Sequence, residues 1–156
     1  MSTSPSTRLK KVLNAANRVH VGLYRRSKGK FAGRIANMPL LLITTFGRKS
    51  GKPYTNPVVY IQDGPDYLVA ATAGGSDWDP GWYLNLKTRP EALIELGEAT
   101  FIVQARIEEG DERRHLYEKF KAASGNFVKY EKKASRVLPV IRLTPTHVHN
   151  DPISRI

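Results

Sequence analysis

The sequence predicts a single α+β domain built on a small antiparallel β-barrel, and three observations carry that expectation. First, β-branched and apolar runs at 40–46, 58–61 and 67–72 are separated only by turn residues, GRKSGKP and then DGP. Val, Ile, Thr and Tyr fit a pleated, half-buried surface, while Gly, Pro and Asp supply the turns, so these runs make a three-stranded meander. Second, runs at 92–96 and 100–107 flank Gly97-Glu98, and 137–143 adds a sixth strand. Third, stretches with helical spacing of apolar residues interrupt the strands. A length of 156 residues suits one domain with a substantial core.

In chain order, residues 1–7 are small and polar. Over 8–26, Leu9, Val12, Leu13, Ala16, Val19 and Leu23 recur at three- and four-residue steps, which is one face of a helix. Arg8, Lys10, Lys11, Arg18, Arg25 and Arg26 surround that face. Two readings stand side by side: a helix packed on the barrel with a solvated outer face, or a basic amphipathic helix lying on anionic lipid. The second would combine apolar burial with about 1 kcal/mol per basic residue near the surface. Residues 27–37 read as a linker. After the third strand comes an Ala-Gly-Gly loop, then Asp79 as a helix cap and Pro80 as first helical residue, with the helix running to 87 before Pro90. Asp111 caps a helix reaching Ala123, which 124–126 breaks. Pro139 argues for an edge or bulge in the closing strand, and 144–156 reads as a loose tail. The expected organisation is 1–26 flexible N-terminus and helix, 27–145 barrel domain, 146–156 tail.

Cysteine is absent, which removes disulfides, thiolate metal sites and a thiol nucleophile. With no apolar run of membrane-spanning length and no signal-type N-terminus, the expectation is a cytoplasmic protein, with a peripheral contact to the cytoplasmic membrane as the variant. The net charge of +11 is unevenly placed. Residues 1–62 hold twelve Lys or Arg and no acid, while the rest of the chain holds thirteen bases and fourteen acids. One half of the chain therefore faces an anionic partner: a polyanionic cofactor, an acidic membrane or nucleic acid. Nucleic acid is disfavoured because the aromatic residues are scattered rather than arrayed for stacking. The four histidines form no metal pattern, and no serine has a nucleophile-elbow setting. GRKSGKP is not a phosphate-binding P-loop: three residues separate Gly47 from Gly51, and Pro53 stands where a magnesium ligand would be. It remains a cationic turn whose Arg48 and Lys49, with exposed N–H groups, can hold phosphate.

GRKSGKPYTNPVVYIQDG followed by VAATAGGSDWDPGWYLNLKTRPE resembles the deazaflavin-dependent nitroreductase family, actinobacterial reductases that use reduced coenzyme F420 on a split β-barrel. The resemblance spans roughly residues 24–145. It implies that Arg48, Lys49 and Ser50 grip the phosphate and carboxylate tail of the coenzyme. Tyr54, Asn56, Pro57 and Val58 would line one side of the ring. Ala70, Ala71, Thr72 and Ala73 would line another, small enough for close backbone approach. Gly81, Trp82, Tyr83, Leu84 and Asn85 match a second contact segment. Phe127 and Tyr130 would border the substrate pocket. The implied activity is hydride transfer from the coenzyme to an apolar, electron-poor acceptor (quinone, activated alkene or nitro compound), with no catalytic side chain of its own. Two departures weigh against nitroimidazole reduction: Ala73 where nitroreducing members carry lysine, and Phe127 where they place an active-site tyrosine. The alternatives are a flavin mononucleotide oxidoreductase, or a non-catalytic basic barrel that binds the coenzyme or nucleic acid.

Overall fold

The computed structural model describes residues 4–30, 33–35 and 37–148. Its strands are β1 (Arg34–Ile35), β2 (Met38–Phe46), β3 (Pro53–Asp63), β4 (Asp66–Ala70), β5 (Glu91–Leu96), β6 (Ala99–Glu108) and β7 (Val140–Val148). The helices are α1 (Thr7–Arg26), α2 (Gly81–Thr88), α3 (Gly110–Ala123) and α4 (Asn126–Lys133). All strand pairings are antiparallel. Because β2 pairs with both β3 and β5, the order β2-β3-β4-β7-β6-β5 closes into a barrel, and short β1 adds to β2.

The near-continuous apolar run of β2 now has its reason: the strand is buried on both faces. Leu41 and Ile43 join Val69, Ile94, Val103, Ile141 and Leu143 in the main core, which Trp82, Tyr83 and Leu86 of α2 complete. The alternate positions of β4 and β7, Leu68, Ala70 and Val140, meet Leu116, Tyr117 and Phe120 of α3 and Phe127 of α4. Full burial of one such side chain is worth about 1.5–3 kcal/mol, so both layers matter to stability.

Several boundaries differ from the expectations, each for a physical reason. The 27–37 linker contains β1, which forms an antiparallel ladder with β2. β3 is far longer than 58–61 because its polar half, from Pro53, pairs with β2. Asp79 is not a cap: α2 begins at Gly81 with Pro80 at the N-cap, and the Asp79 carboxylate pairs with Arg136 at 2.8 Å. Asp111 lies inside α3, whose N-cap is Glu109. The break at 124–126 is short, and α4 follows it. The closing strand starts at Val140, leaving Pro139 before it. It also runs on through 144–148, where the register shift falls between Ile102 and Val103 opposite Pro145 and His147. Residues 149–156 of the expected tail lie outside the described residues.

Helix α1 is stapled across the closing seam of the barrel. The Tyr24 hydroxyl lies 3.2 Å from the Leu40 carbonyl on β2 and 3.3 Å from the Glu95 carbonyl on β5, and accepts from the Gly97 N–H at 2.9 Å. Arg25 grips the Glu95 carboxylate with two bonds. Only Val21 and Tyr24 of this helix are buried. At about 100° per residue they sit roughly 120° round the helix from the Leu9–Val12–Ala16–Val19–Leu23 stripe. That stripe is therefore not what the barrel covers: Val12 is 60% and Val19 65% exposed.

Behind the barrel, Arg142 of β7 is a hub for carboxylates from four places. It reaches Asp63 at 2.8 Å, Asp66 at 3.1 Å, Glu108 at 3.2 Å and Glu112 at 3.9 Å. Burial opposes its charge, but hydrogen bonds to Asp63, Asp66 and Glu108 outweigh it and hold the guanidinium above its ordinary value.

Candidate functional site

The barrel is open along one line. β3 pairs with β4 only from Tyr60 to Asp63, whereas residues 53–59 pair with β2 alone. β4 meanwhile follows β7 through Ala70↔Val140, and the Ala71 N–H continues to the Pro139 carbonyl at 2.9 Å. The two strands diverge beyond Tyr60↔Val69, leaving an unpaired β3 edge from Pro53 to Val59. Pro53 and Pro57 have no N–H to offer any ladder, which suits them to such an edge. Asn56, Pro57 and Val58 on this edge are half-buried.

The β2–β3 turn stands at one end of the opening. Gly47 N–H bonds the Lys52 carbonyl at 2.8 Å, and Gly51 N–H bonds the Gly47 carbonyl at 2.7 Å. A Cβ at Gly47 would lie 2.8 Å from both Ser50 Oγ and the Tyr54 ring, so those exposed side chains would have to shift. Arg48, Lys49, Ser50 and Tyr54 are exposed, and Arg48, Lys49 and Lys52 form no ion pair among the described residues. By contrast Arg25, Arg136 and Arg142 are all paired. Arg48 is nevertheless fixed. Asn85 Oδ1 accepts from its backbone N–H at 3.2 Å and its guanidinium at 3.0 Å, while Asn85 Nδ2 donates to Thr45 Oγ1 at 3.1 Å. Asn85 is 4% exposed and links Arg48 to Thr45 on β2.

Opposite lies the 70–79 loop. Ala70 and Ala71 are buried, and Thr72 and Ala73 half-buried. Ala73, Gly74 and Gly75 follow with φ of 46°, 64° and 81°. For Ala73 a left-handed conformation costs about 1–2 kcal/mol, which the surroundings must offset. Gly75 packs so closely on α4 that a Cβ would sit 2.9 Å from Tyr130 Cα. Beyond the loop, Gly81 is exposed, Leu84 half-buried, and Trp82 and Tyr83 buried. Burial and the Asp79 carboxylate hold the Tyr83 phenol above its ordinary 10.0, so it stays protonated at neutral pH.

Of the two residues expected at the substrate pocket, Tyr130 is half-buried and Phe127 is a core residue. Phe127 stacks 5.1 Å from Phe120 and 5.5 Å from Tyr130, and its carbonyl accepts from Tyr117 at 2.7 Å. A cavity of about 670 Å³ lies off Tyr83, between α3, α4 and residues 137–139. Seven charged side chains line it, among them Lys121 paired with Glu118 and Glu131, which makes it a poor seat for an apolar acceptor. Arg136, which touches the 70–79 loop four times, was not among the expected residues.

An open strand edge, a wall of small residues and a turn of unpaired cations fit a flat ring carrying an anionic tail. Comparison with known proteins agrees. The model of the F420H(2)-dependent quinone reductase family matches residues 16–145. The chain belongs to the F420H(2)-dependent quinone reductase family. It is 35% identical over 131 residues to an F420H(2)-dependent quinone reductase of Mycobacterium tuberculosis (strain ATCC 25618 / H37Rv), covering 81% of this chain and 88% of the relative. The fold is similar to that of an F420-H2-dependent reductase, FDR-A, at a TM-score of 0.62 and 32% identity, over 67% of this chain and 93% of that one. It is similar also to a structure described as a domain-swapped dimer, at a TM-score of 0.64 and 25% identity, over 88% and 99% of the two chains. Membership of the quinone reductase family bears out the deazaflavin resemblance.

Proposed function

We propose that the protein is an F420H2-dependent reductase that passes a hydride to a quinone in the opening between β3 and the 70–79 loop. The observation that carries this reading is the unpaired β3 edge ending in the Arg48–Lys49 turn. Arg48, Lys49 and Ser50 bind the anionic tail, with Arg48 pre-set by Asn85 so that little side-chain freedom is lost on binding. Tyr54, Asn56, Pro57 and Val58 form one wall. Ala70, Ala71, Thr72 and Ala73 form the other, with Gly81, Trp82, Tyr83 and Leu84 closing the inner end. When bound, the reduced deazaflavin supplies the hydride; the chain's part is to position the reactants and exclude water, and solvent supplies the proton to the reduced acceptor. Reduction of nitro compounds is disfavoured, because Ala73 has no ammonium. The test is to add the reduced coenzyme with a short-chain quinone and follow coenzyme oxidation: turnover is expected, and binding without turnover would favour a carrier.

The tail contact gives a sharper expectation. Charge-assisted hydrogen bonds contribute about 1.5–3 kcal/mol each when well formed. The Arg48→Ala/Lys49→Ala double variant should therefore bind the coenzyme at least about tenfold more weakly while remaining folded. Salt should weaken the wild type more than the variant. Unchanged affinity in a fluorescence titration would place the tail elsewhere.

A peripheral contact with anionic lipid is the second reading, favoured by one observation: the apolar stripe of α1 is turned away from the barrel, with cations round the rest of the helix. None of Arg8, Lys10, Lys11 and Arg18 pairs with a carboxylate among the described residues. No described helix is long and apolar enough to cross a membrane. Removing residues 1–19 spares Val21, Tyr24 and Arg25, so coenzyme binding should persist while sedimentation with phosphatidylglycerol vesicles is lost. Sedimentation equal to that of the full chain would refute the lipid contact.

A further inference from the structure

We propose that Arg136 is a positioning residue for the coenzyme ring, acting through the backbone of the 70–79 loop; the inference rests on the coenzyme site above. Arg136 lies in the segment between α4 and β7, and its side chain is only 14% exposed. Nε bonds the Ser76 carbonyl at 2.9 Å, Nη2 the Ala71 and Thr72 carbonyls at 3.1 Å each, and Nη1 the Asp79 carboxylate at 2.8 Å. One guanidinium thus ties the entry of the loop to its exit and to Asp79, the residue before the N-cap of α2. Few other side chains could do this, because only a planar fork offers donors in three directions at once.

The consequence for binding comes from peptide geometry. The peptides of this loop are trans, and a trans peptide points its N–H opposite to its C=O. With the Ala71 and Thr72 carbonyls turned onto Arg136, the N–H groups of Thr72 and Ala73 point away from it. Thr72 is right-handed (φ −84°) and Ala73 left-handed (φ 46°). That alternation brings successive N–H groups onto one concave side, an arrangement suited to an electronegative group. The loop's own bonds, Gly75 N–H to the Thr72 carbonyl and Ser76 N–H to the Ala73 carbonyl, use later donors and leave this pair out. Arg136 therefore fixes the loop's acceptors on one side and presents the Thr72 and Ala73 donors on the other, for the carbonyl-bearing edge of the deazaflavin. A tripeptide of left-handed residues would not hold that shape unaided.

The experiment uses full-length protein, with Arg136→Gln and Arg136→Lys beside the wild type. The probes are oxidised coenzyme F420 and its tail-less deazaflavin riboside, followed by fluorescence titration and by the absorption spectrum of the bound chromophore. Arg136→Gln should weaken binding of both probes at least tenfold and return the bound absorption maximum toward that of the free chromophore. Arg136→Lys retains the cation beside Asp79 and should restore part of the affinity. It cannot span the three carbonyls, so the spectrum should stay shifted. A melting curve shows which variants are folded, and if Arg136→Gln does not fold, the Arg136→Lys spectrum decides. Wild-type affinity for the riboside with a wild-type spectrum, in either folded variant, overturns the inference alone. Failure of the wild type to bind either probe overturns the coenzyme site, and the inference with it.

Discussion

Replacing Gly75 with alanine should force the 70–79 loop off α4, lower stability by about 2–5 kcal/mol, and weaken coenzyme binding at least about tenfold. Two costs add. The residue sits at φ +81°, where a Cβ meets its own following carbonyl. The new methyl would also lie 2.9 Å from Tyr130 Cα and 3.0 Å from the Tyr130 carbonyl oxygen. Those are backbone atoms of a helix and cannot rotate aside, so either the loop or α4 must move. Gly74 provides the control. It is equally left-handed at φ +64°, but a Cβ there meets nothing within 4 Å. Gly74→Ala should therefore cost only the conformational part, about 1–2 kcal/mol. Melting temperatures and coenzyme titrations of the two variants check the difference, and equal effects would mean that contact with α4 does not shape the loop.

Replacing Arg142 with alanine should cost about 2–4 kcal/mol, or about 4–16 °C in melting temperature at roughly 2–4 °C per kcal/mol. Removing the guanidinium leaves Asp63, Asp66, Glu108 and Glu112 facing one another, with Glu108 only 7% exposed and one Asp66 oxygen buried without a hydrogen-bond partner. The figure is set below that of a wholly buried pair because Asp63 and Glu112 keep contact with solvent. The pH dependence follows from Asp63. Its hydrogen bond from Arg142 holds its carboxyl below the ordinary 3.8. A depressed folded value means the contribution is fully present above the unfolded value and is lost as pH falls through the lower folded one. The wild type should therefore lose this stabilisation only below about pH 4, and the variant should lack that part of its acid transition. Urea unfolding from pH 3 to 7 measures both; parallel curves would remove Arg142 from the acid response.

The barrel was legible because its strands carry their pattern locally. Leu40 to Phe46 and the DGP turn announce β strands and a hairpin by composition alone. What escaped was set by partners far along the chain. Residues 144–148 look like a tail with two polar threonines and a proline, yet β6 gives them a ladder. Helix α4 offers little more than Phe127, Val128 and Tyr130 among lysines, and its reason for existing is the aromatic cluster with α3. Within the candidate site, the cationic turn and the small-residue loop stood out as local motifs. Their supports did not. Asn85 holds Arg48 across 37 positions, and Arg136 reaches the 70–79 loop across 57 to 65. A single arginine in a polar segment has no periodicity to betray it. Asp79 shows the converse: its sequence setting is that of a cap, and a partner 57 residues away takes its carboxylate instead.

The central claim is that the opening beside β3 is a deazaflavin site, and competition between two flat cofactors tests it most directly. Full-length protein is titrated with oxidised coenzyme F420 and with flavin mononucleotide under the same buffer and salt. The open edge, the small-residue loop and the three unpaired cations of the turn predict at least about tenfold tighter binding of the deazaflavin, about 1.4 kcal/mol or more. Equal or tighter binding of flavin mononucleotide would contradict the account.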